Sequence, residues 1–174
     1  HRDLHSFPTR RSSDLELTHV NEEGKARMVE VGEKEDTARI AVAFGSIRMK
    51  RETARLIKEN LIKKGDVLTV SKIAGILGAK KTSDLIPLCH NIVLSGVEIS
   101  FKMGEDVIEI MAQAHSVGKT GVEMESLTAV SVAALTIYDM CKAVDKEMVI
   151  GDIKLLKKTG GKSGNYTRQE VKHD

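Results

Sequence analysis

Alternating apolar and polar residues predict most of the strands in this chain. The run 37–48 is predicted to be a strand with one apolar face, where the larger apolar side chains Ile40, Val42 and Phe44 alternate with Arg39, Ala41 and Ala43. Runs 97–103 and 107–114 alternate on either side of Gly104-Glu105-Asp106, and this pattern predicts a β-hairpin. Shorter strands are expected at 28–31 and 148–156.

Helical periodicity predicts three helices between these strands. The segments 50–62 and 67–79 each place apolar side chains on one side, and a longer helix that ends near Lys142 carries an apolar stripe. Thr120 and Glu123 fit a capping box at the start of the long helix. Helices packed on one face of a largely antiparallel sheet give an α+β fold. The predicted inward residues are Ala54, Ile57, Leu61, Val70, Ile73, Ala74, Leu77, Leu127, Val130, Ala134, Ile137, Cys141 and Val144.

Composition excludes several classes of function. Lysine and arginine total 27 against 25 acidic residues, and aromatic residues are 3% with no tryptophan, so the chain lacks both the basic surface and the stacking groups of a nucleic-acid binder. No apolar run approaches the roughly 18 residues of a membrane span. Cys89 and Cys141 fit free thiols in a reducing compartment, and the protein is expected to be cytoplasmic.

The 174 residues are enough for one domain with its own core. We expect residues 1–16 to be a disordered or non-native extension, because they show no periodic apolar pattern. A single domain is expected at 17–166, followed by a flexible tail at 167–174.

Asp139 and Lys142 are charged residues on a helix whose other residues are typical of a buried core helix. They are three positions apart and therefore lie on one face, which they share with Val132 and Leu135. The presence of those apolar residues indicates that another part of the chain, or another subunit, covers this face. Buried charges need a partner or a use. The alternative is an ordinary intrahelical ion pair on a solvated surface.

Three other segments carry candidate chemistry. Cys89-His90 follows Pro87 on an extended segment, where the imidazole is either a structural residue or a proton carrier. The glycine-rich stretch 158–164 is either a phosphate-binding loop or a solvated tail. It is not a Walker A loop, because Leu156 stands where that pattern requires glycine. A capping role explains Glu123 at the start of the long helix, but it leaves Glu125 unexplained.

The order of several distinctive segments resembles the cyclic pyranopterin monophosphate synthase family, the MoaC proteins of molybdenum cofactor biosynthesis. The resemblance covers about residues 17–166. The segments that carry it are Leu17-Thr18-His19-Val20-Asn21, Lys64-Gly65-Asp66-Val67, Ile73-Ala74-Gly75-Ile76, Asp84-Leu85-Ile86-Pro87-Leu88-Cys89-His90, Thr120-Gly121-Val122-Glu123-Met124-Glu125, Thr136-Ile137-Tyr138-Asp139-Met140-Cys141-Lys142-Ala143-Val144 and Gly160-Gly161-Lys162-Ser163-Gly164.

The resemblance implies a lyase. No cofactor is expected, and no metal is expected because Cys89, His90 and Cys141 lack the spacing of metal ligands. Its substrate would be 3′,8-cyclo-7,8-dihydroguanosine 5′-triphosphate, a cyclised product of GTP, which is rearranged to cyclic pyranopterin monophosphate with release of diphosphate. The implied architecture is a ferredoxin-like antiparallel sheet in a homohexamer, a trimer of dimers with active sites at subunit interfaces. No nucleic acid or membrane partner is expected. The rival hypothesis is a nucleotide-binding module that does not turn the substrate over.

Motif matching also assigns roles to individual residues. Asp139 corresponds to the family's active-site aspartate, and Lys142 and Lys64 correspond to its catalytic lysines. The residues assigned to substrate binding are Leu88, Cys89, His90, Met124 and Glu125, together with Arg39, Glu123 and Lys162. The chain departs from the family pattern at Asn91, where proline is usual, so His90 is expected to be less rigidly aimed.

Overall fold

The computed structural model describes residues 22–170, and its contacts separate the chain into two units at the Glu30–Val31 boundary. The proposed extension at 1–16, the motif at 17–21 and residues 171–174 lie outside the described part. The strand expected at 28–31 is wrong. Val31 accepts a hydrogen bond from the Lys34 N–H at 3.0 Å, and this bond turns the chain where a strand would have continued.

The second unit contains a five-stranded antiparallel sheet with helices packed on it, which confirms the expected α+β fold. Its strand order is β2-β3-β1-β4-β5. Without the short β5, the strands and main helices follow the β-α-β-β-α-β order of ferredoxin-like folds. The elements are β1 Thr37–Arg48, α1 Arg51–Lys58, α2 Val67–Lys80, α3 Thr82–Leu85, β2 Gly96–Met103, β3 Val107–Gly118, α4 Glu123–Cys141, β4 Val149–Thr159 and β5 Tyr166–Thr167.

The predicted strands and helices are largely confirmed, with different ends. The β2–β3 hairpin is closed by a hydrogen bond from the Gly104 N–H to the Val107 carbonyl at 2.7 Å. Helix α1 ends at Lys58, because the chain turns at Asn60, whose φ is 56°. Strand β4 continues to Thr159, beyond the expected 156, and the chain after it turns back so that Thr167 pairs with Lys157.

The face of β1 that α4 covers consists mostly of small side chains. Ala41, Ala43 and Ile47 are fully buried there, and a Cβ added to Gly45 would overlap Val130 of α4. The larger side chains of the opposite face, Ile40, Val42 and Phe44, are only half-buried. The apolar face predicted for this strand is therefore not the one under the helices, because small residues allow α4 to approach the sheet closely.

Helix α4 is the centre of the core, and most of its predicted stripe is confirmed. Val130, Ala134, Ile137 and Cys141 have no exposed surface. The predicted inward face of α2 is wrong, since Val70, Ile73 and Leu77 are 41–55% exposed. The buried face of α2 instead contains Val67, Ser71, Gly75, Gly78 and Ala79. Its glycines lie close to α4, where a Cβ on Gly78 would lie 2.7 Å from Val132 Cγ2.

Candidate active site

Three charged side chains meet at the C-terminal end of α4. Asp139 Oδ1 lies 3.0 Å from Lys142 Nζ, and Asp139 Oδ2 lies 3.1 Å from Lys64 Nζ. Lys64 Nζ also donates a hydrogen bond to the Asp139 backbone carbonyl at 3.0 Å. Lys64 comes from the loop between α1 and α2, far away in sequence. The structure therefore brings together the three residues assigned to catalysis.

The two lysines determine the electrostatics of this cluster. A hydrogen bond from Lys142, followed in size by one from Lys64, holds the pKa of the Asp139 carboxyl below its usual value. All three side chains are 49–58% exposed, so the ion pairs contribute little to stability. Leu135, on the same side of α4, is 59% exposed. The single chain therefore covers this face only in part, with α2 packed against Val132 and Leu135 left exposed.

Asp145 fixes the turn that follows the cluster. Its buried carboxylate accepts hydrogen bonds from the Lys50 N–H at 3.0 Å, the Thr53 hydroxyl at 2.9 Å and the Glu147 N–H at 3.1 Å. Burial alone would raise the pKa of Asp145, but these hydrogen bonds hold it below its usual value. The turn after α4 is thereby joined to the start of α1, the helix that leads to Lys64.

A second cluster lines a pocket of about 710 Å³ at the other end of α4. The predicted binding residues Arg39, Glu123 and Lys162 all lie in its wall. Three further lysines, which were not assigned to the site from the sequence, line it as well, so that cations outnumber acids. The charged lining residues are Glu33, Lys34, Glu35, Arg39, Lys119, Glu123, Lys158 and Lys162.

Lys158 is a largely enclosed cation of this pocket, and the sequence placed it in a possible phosphate-binding loop without assigning it to the site. Its side chain is 17% exposed, its Nζ lies 3.7 Å from Glu123 Oε1, and it donates a hydrogen bond to the Ser163 hydroxyl. Lys158 follows the expected end of the last strand, so it was grouped with a glycine-rich loop. A signal was available, because Lys157-Lys158-Thr159 contains no strand breaker.

The predicted capping box is wrong, and this changes the interpretation of Glu123. The N-cap of α4 is Val122, and no side chain caps it. The Glu123 carboxylate folds over Gly121, where an added Cβ would overlap it, and it faces Lys158. Glu123 is therefore part of the charged wall of the pocket.

The two other predicted binding segments approach each other near the start of α4. Pro87 lies in a turn closed by a hydrogen bond from the Cys89 N–H to the Ile86 carbonyl at 3.1 Å. Glu125 is 3% exposed, and burial raises its pKa to about 7, with a smaller contribution from the charge of Glu123. Burial raises the pKa of the Cys89 thiol, and the charge of Glu125 raises it further, which places these two side chains near each other.

His90 lies beside this region, in the irregular segment between α3 and β2. It lines a smaller cleft of about 350 Å³ together with Asn91 and Lys119. Lys119 and Thr120 line both this cleft and the larger pocket. Leu88 and Met124, the remaining predicted binding residues, are 37% and 38% exposed.

Within one chain the two charged clusters lie at opposite ends of α4. Glu123 and Asp139 are separated by most of a helix that rises about 1.5 Å per residue, or roughly 24 Å between them. Lysine side chains do not span that distance. The catalytic candidates and the pocket cations of a single chain therefore do not share one cavity.

A comparison with known protein families matches residues 28–161, which is most of the chain, to the MoaC family. The chain belongs to the MoaC family. This MoaC chain is 64% identical over 157 residues to the cyclic pyranopterin monophosphate synthase of Peptoclostridium acidaminophilum, a match that covers 90% of this chain and 100% of that protein.

Other MoaC relatives carry the same name. The cyclic pyranopterin monophosphate synthase of Clostridium acetobutylicum is 60% identical over 154 residues, which are 87% of this chain and 96% of that protein. The synthase of Brevibacillus brevis is 56% identical over 156 residues, which are 89% of this chain and 98% of that protein. The family resemblance inferred from the motifs is confirmed.

Among residues 22–170, no group of three or more histidine, cysteine, aspartate or glutamate side chains is arranged to hold a metal ion. Within the same range, every helix is too short or too polar to cross a bilayer.

Proposed function

We propose that this chain is a cyclic pyranopterin monophosphate synthase, a lyase of molybdenum cofactor biosynthesis. It converts 3′,8-cyclo-7,8-dihydroguanosine 5′-triphosphate to cyclic pyranopterin monophosphate and releases diphosphate. Relatives that carry this name are similar along nearly the whole chain. The observation that carries the proposal is the position of the Asp139 carboxylate between the ammonium groups of Lys64 and Lys142.

The cluster at the end of α4 performs the proton transfers. Rearranging a purine-derived ring requires protons to be removed and delivered in several steps, and positioned side chains speed such steps. The ionised Asp139 holds both lysines through contacts of 3.0 and 3.1 Å, so a proton that one ammonium gives to the substrate is replaced from the other ammonium across the carboxylate without large movement. Lys142 and Lys64 are the proton carriers, and Asp139 orients them.

The larger pocket holds the triphosphate. Arg39, Lys158 and Lys162 provide cationic donors around one cavity, and such groups bind phosphate oxygens through charge-assisted hydrogen bonds. When diphosphate leaves, negative charge develops on its oxygens, and fixed cations stabilise that charge best when they need not reorganise. The enclosed Lys158 is suited to this role because Glu123 and Ser163 already fix its position.

The ring system of the substrate lies against the segments next to the pocket. Met124 and Glu125 lie in the first turn of α4, which begins at the pocket, and Cys89 lies near Glu125 with Leu88 and His90 beside it in the chain. Glu125 is buried, and because its pKa is about 7 it is partly protonated near neutral pH. A carboxyl group in that state donates a hydrogen bond to a ring nitrogen or carbonyl as readily as it accepts one.

The complete active site requires two copies of the chain. The proton-transfer cluster and the phosphate pocket lie roughly 24 Å apart along α4, so they meet only when one copy places its cluster against the pocket of another. Exposed apolar side chains of α2 and α4 provide a surface for such contact, since Ile73, Leu77 and Leu135 are 54–59% exposed. The assembly is a homohexamer, a trimer of dimers, with its active sites at subunit interfaces.

The catalytic domain comprises about residues 17–166, and the protein acts in the cytoplasm. The family match and the aligned relatives cover most of that range. Both cysteines are free, with Cys141 buried and Cys89 partly buried, as is typical of a reducing compartment.

The proposal is tested by incubating the purified protein with the cyclised GTP intermediate while following diphosphate and the pterin product, with GTP as a control substrate. The parent protein should release diphosphate from the intermediate and leave GTP unchanged. Lys142→Ala should lower turnover by at least about 10²-fold, the usual contribution of a general acid or base. The matched control is Lys146→Ala, which removes an exposed lysine from the turn after α4 and should retain full activity.

The same assay separates the enzyme from a binding module. A module without turnover would bind the intermediate and release no diphosphate, and that result from the parent protein would contradict the proposal. Normal turnover by Lys142→Ala would remove Lys142 from the catalytic cluster.

A further inference from the structure

The turn that follows β4 contains three glycines in the left-handed region of backbone space. Gly160, Gly161 and Gly164 have φ angles of 93°, 84° and 70°. The turn is closed by a hydrogen bond from the Gly164 N–H to the Gly161 carbonyl at 3.2 Å. Left-handed conformations favour glycine at all three positions, so backbone conformation alone does not distinguish them.

The surroundings of these glycines do distinguish them. A Cβ built on Gly161 would overlap Nη1 of Arg39 and would lie 3.3 Å from its Cζ and 3.5 Å from its Nη2. A Cβ built on Gly164 would have nothing within 4 Å. The missing side chain of Gly161 therefore makes room for the guanidinium group of Arg39. At position 164, glycine is favoured only by the left-handed backbone conformation.

A second contact holds Arg39 from another strand. Its Nε donates a hydrogen bond to the Gly118 carbonyl at the end of β3, at 2.9 Å. The guanidinium group is thus held between the backbone of Gly118 and that of Gly161, in the wall of the larger pocket. Because the guanidinium is planar and its donors form a rigid fork, its orientation decides which oxygens it can bind.

We propose that Gly161 is a positioning residue, which keeps the Arg39 guanidinium oriented toward the phosphate groups of the substrate. The inference rests on the proposed function, in which the larger pocket holds the triphosphate. Any side chain at position 161 would push the guanidinium away from the Gly118 carbonyl and out of line with the phosphates. Gly161 itself touches no reacting atom, so its effect passes entirely through Arg39.

The test compares Gly161→Ala with Gly164→Ala, because both place a Cβ on a left-handed residue of the same turn. For Gly161→Ala we expect KM for the cyclised intermediate to rise about tenfold with little change in kcat, the loss expected for one charge-assisted hydrogen bond. For Gly164→Ala we expect KM to change less than about twofold. A KM for Gly161→Ala equal to that of Gly164→Ala would overturn the proposal.

A double-mutant cycle separates positioning from backbone strain. In an Arg39→Ala background, Gly161→Ala should raise KM no further, because no guanidinium remains to be displaced. The unfolding midpoint of the Arg39→Ala, Gly161→Ala double variant should match that of the Arg39→Ala, Gly164→Ala double variant. This comparison of midpoints can be made even if Gly161→Ala alone does not fold. A further rise in KM, or a midpoint well below that of the control, would overturn the proposal.

Binding of inorganic diphosphate tests the positioning role of Gly161 independently of the proposed function. Diphosphate binding to the parent and to the two single variants is measured by calorimetry and requires no turnover. We expect about tenfold weaker binding for Gly161→Ala and parent-like binding for Gly164→Ala. Equal binding by the parent and Gly161→Ala would overturn the positioning role. A parent that binds diphosphate but does not turn over the intermediate would instead contradict the proposed function.

Discussion

Glu125 shows how the fold gives one carboxyl group an unusual protonation state. The residue lies in the first turn of α4 but is 3% exposed, and burial raises its pKa from 4.5 to about 7. An exposed glutamate in an unfolded chain keeps the lower value. The folded protein therefore binds a proton at Glu125 more tightly than the unfolded protein does.

Glu125→Gln should make the stability of the protein less dependent on pH. Because the folded pKa lies above the unfolded one, Glu125 stabilises the fold below about pH 4.5 relative to higher pH, and this contribution is lost as pH rises through about 7. The free energy of unfolding of the parent should fall by roughly 2–3 kcal/mol between about pH 5 and pH 8. Glutamine is always neutral, so the variant should lack this fall.

The measurement is urea unfolding across that pH range at one protein concentration. Glu98→Gln is the control, because it makes the same change at an exposed position of β2 and should retain the pH dependence of the parent. If the stability of Glu125→Gln falls with pH as much as that of the parent, then Glu125 is not the group responsible.

At this scale the sequence predicted the catalytic cluster only in part. The spacing of Asp139 and Lys142 requires them to be neighbours on a helix, so their contact follows from periodicity. Lys64 is distant in sequence, and only the family resemblance placed it with them. For Lys158 the sequence left a phosphate-binding loop and a solvated tail as alternatives, because whether a lysine lies in a pocket or in a tail depends on where the last strand ends.

Helix α4 connects the two charged clusters and is also the most buried helix of the described fold. It begins at the larger pocket, proposed to bind phosphate, and ends at the Asp139 cluster, proposed to transfer protons. Small residues on β1 and α2 allow it to pack tightly between them. Close packing fixes the helix against both layers, so the side chains at its two ends have defined positions.

Gly78→Ala tests this close packing. In an exposed helix, replacing glycine by alanine stabilises by up to about 1 kcal/mol. Here the new Cβ would lie 2.7 Å from Val132 Cγ2, so overpacking should destabilise the protein by about 1–3 kcal/mol. The free energy of unfolding is measured in urea.

The double variant Gly78→Ala, Val132→Ala provides the control for that prediction. Removing the methyl groups of Val132 makes room for the added Cβ, so the second substitution should recover part of the lost stability. A Gly78→Ala protein as stable as the parent would show that α2 and α4 are not in close contact at this point.

The sequence predicted which segments form helices and strands better than it predicted which faces they bury. The rule that larger apolar residues lie inside favoured Val70, Ile73 and Leu77 of α2 as core residues, and it favoured Ile40, Val42 and Phe44 of β1 as the apolar face. The structure buries the small residues of both elements, because close approach of α4 is possible only there. That choice depends on the partner element, which local periodicity does not describe.

The exposed apolar side chains and the divided site have one explanation at the scale of the whole molecule. The chain leaves Ile73, Leu77 and Leu135 exposed, and it holds the proposed catalytic cluster far from the proposed phosphate pocket. In the proposed assembly, identical subunits would cover these apolar side chains and join the cluster of one subunit to the pocket of another. The central claim is that each active site contains residues from two subunits.

Subunit complementation tests that claim most directly. Lys142→Ala inactivates the proton-transfer cluster and Lys158→Ala inactivates the phosphate pocket, so each variant alone should be inactive. Co-expressed in equal amounts, the two variants should recover about a quarter of the parent's activity. The proton-transfer cluster is intact in half of the subunits and the phosphate pocket in the other half, so random assembly combines two intact halves in about a quarter of the sites. Diphosphate release by the purified mixed assembly that stays at the level of the two single variants would contradict the account.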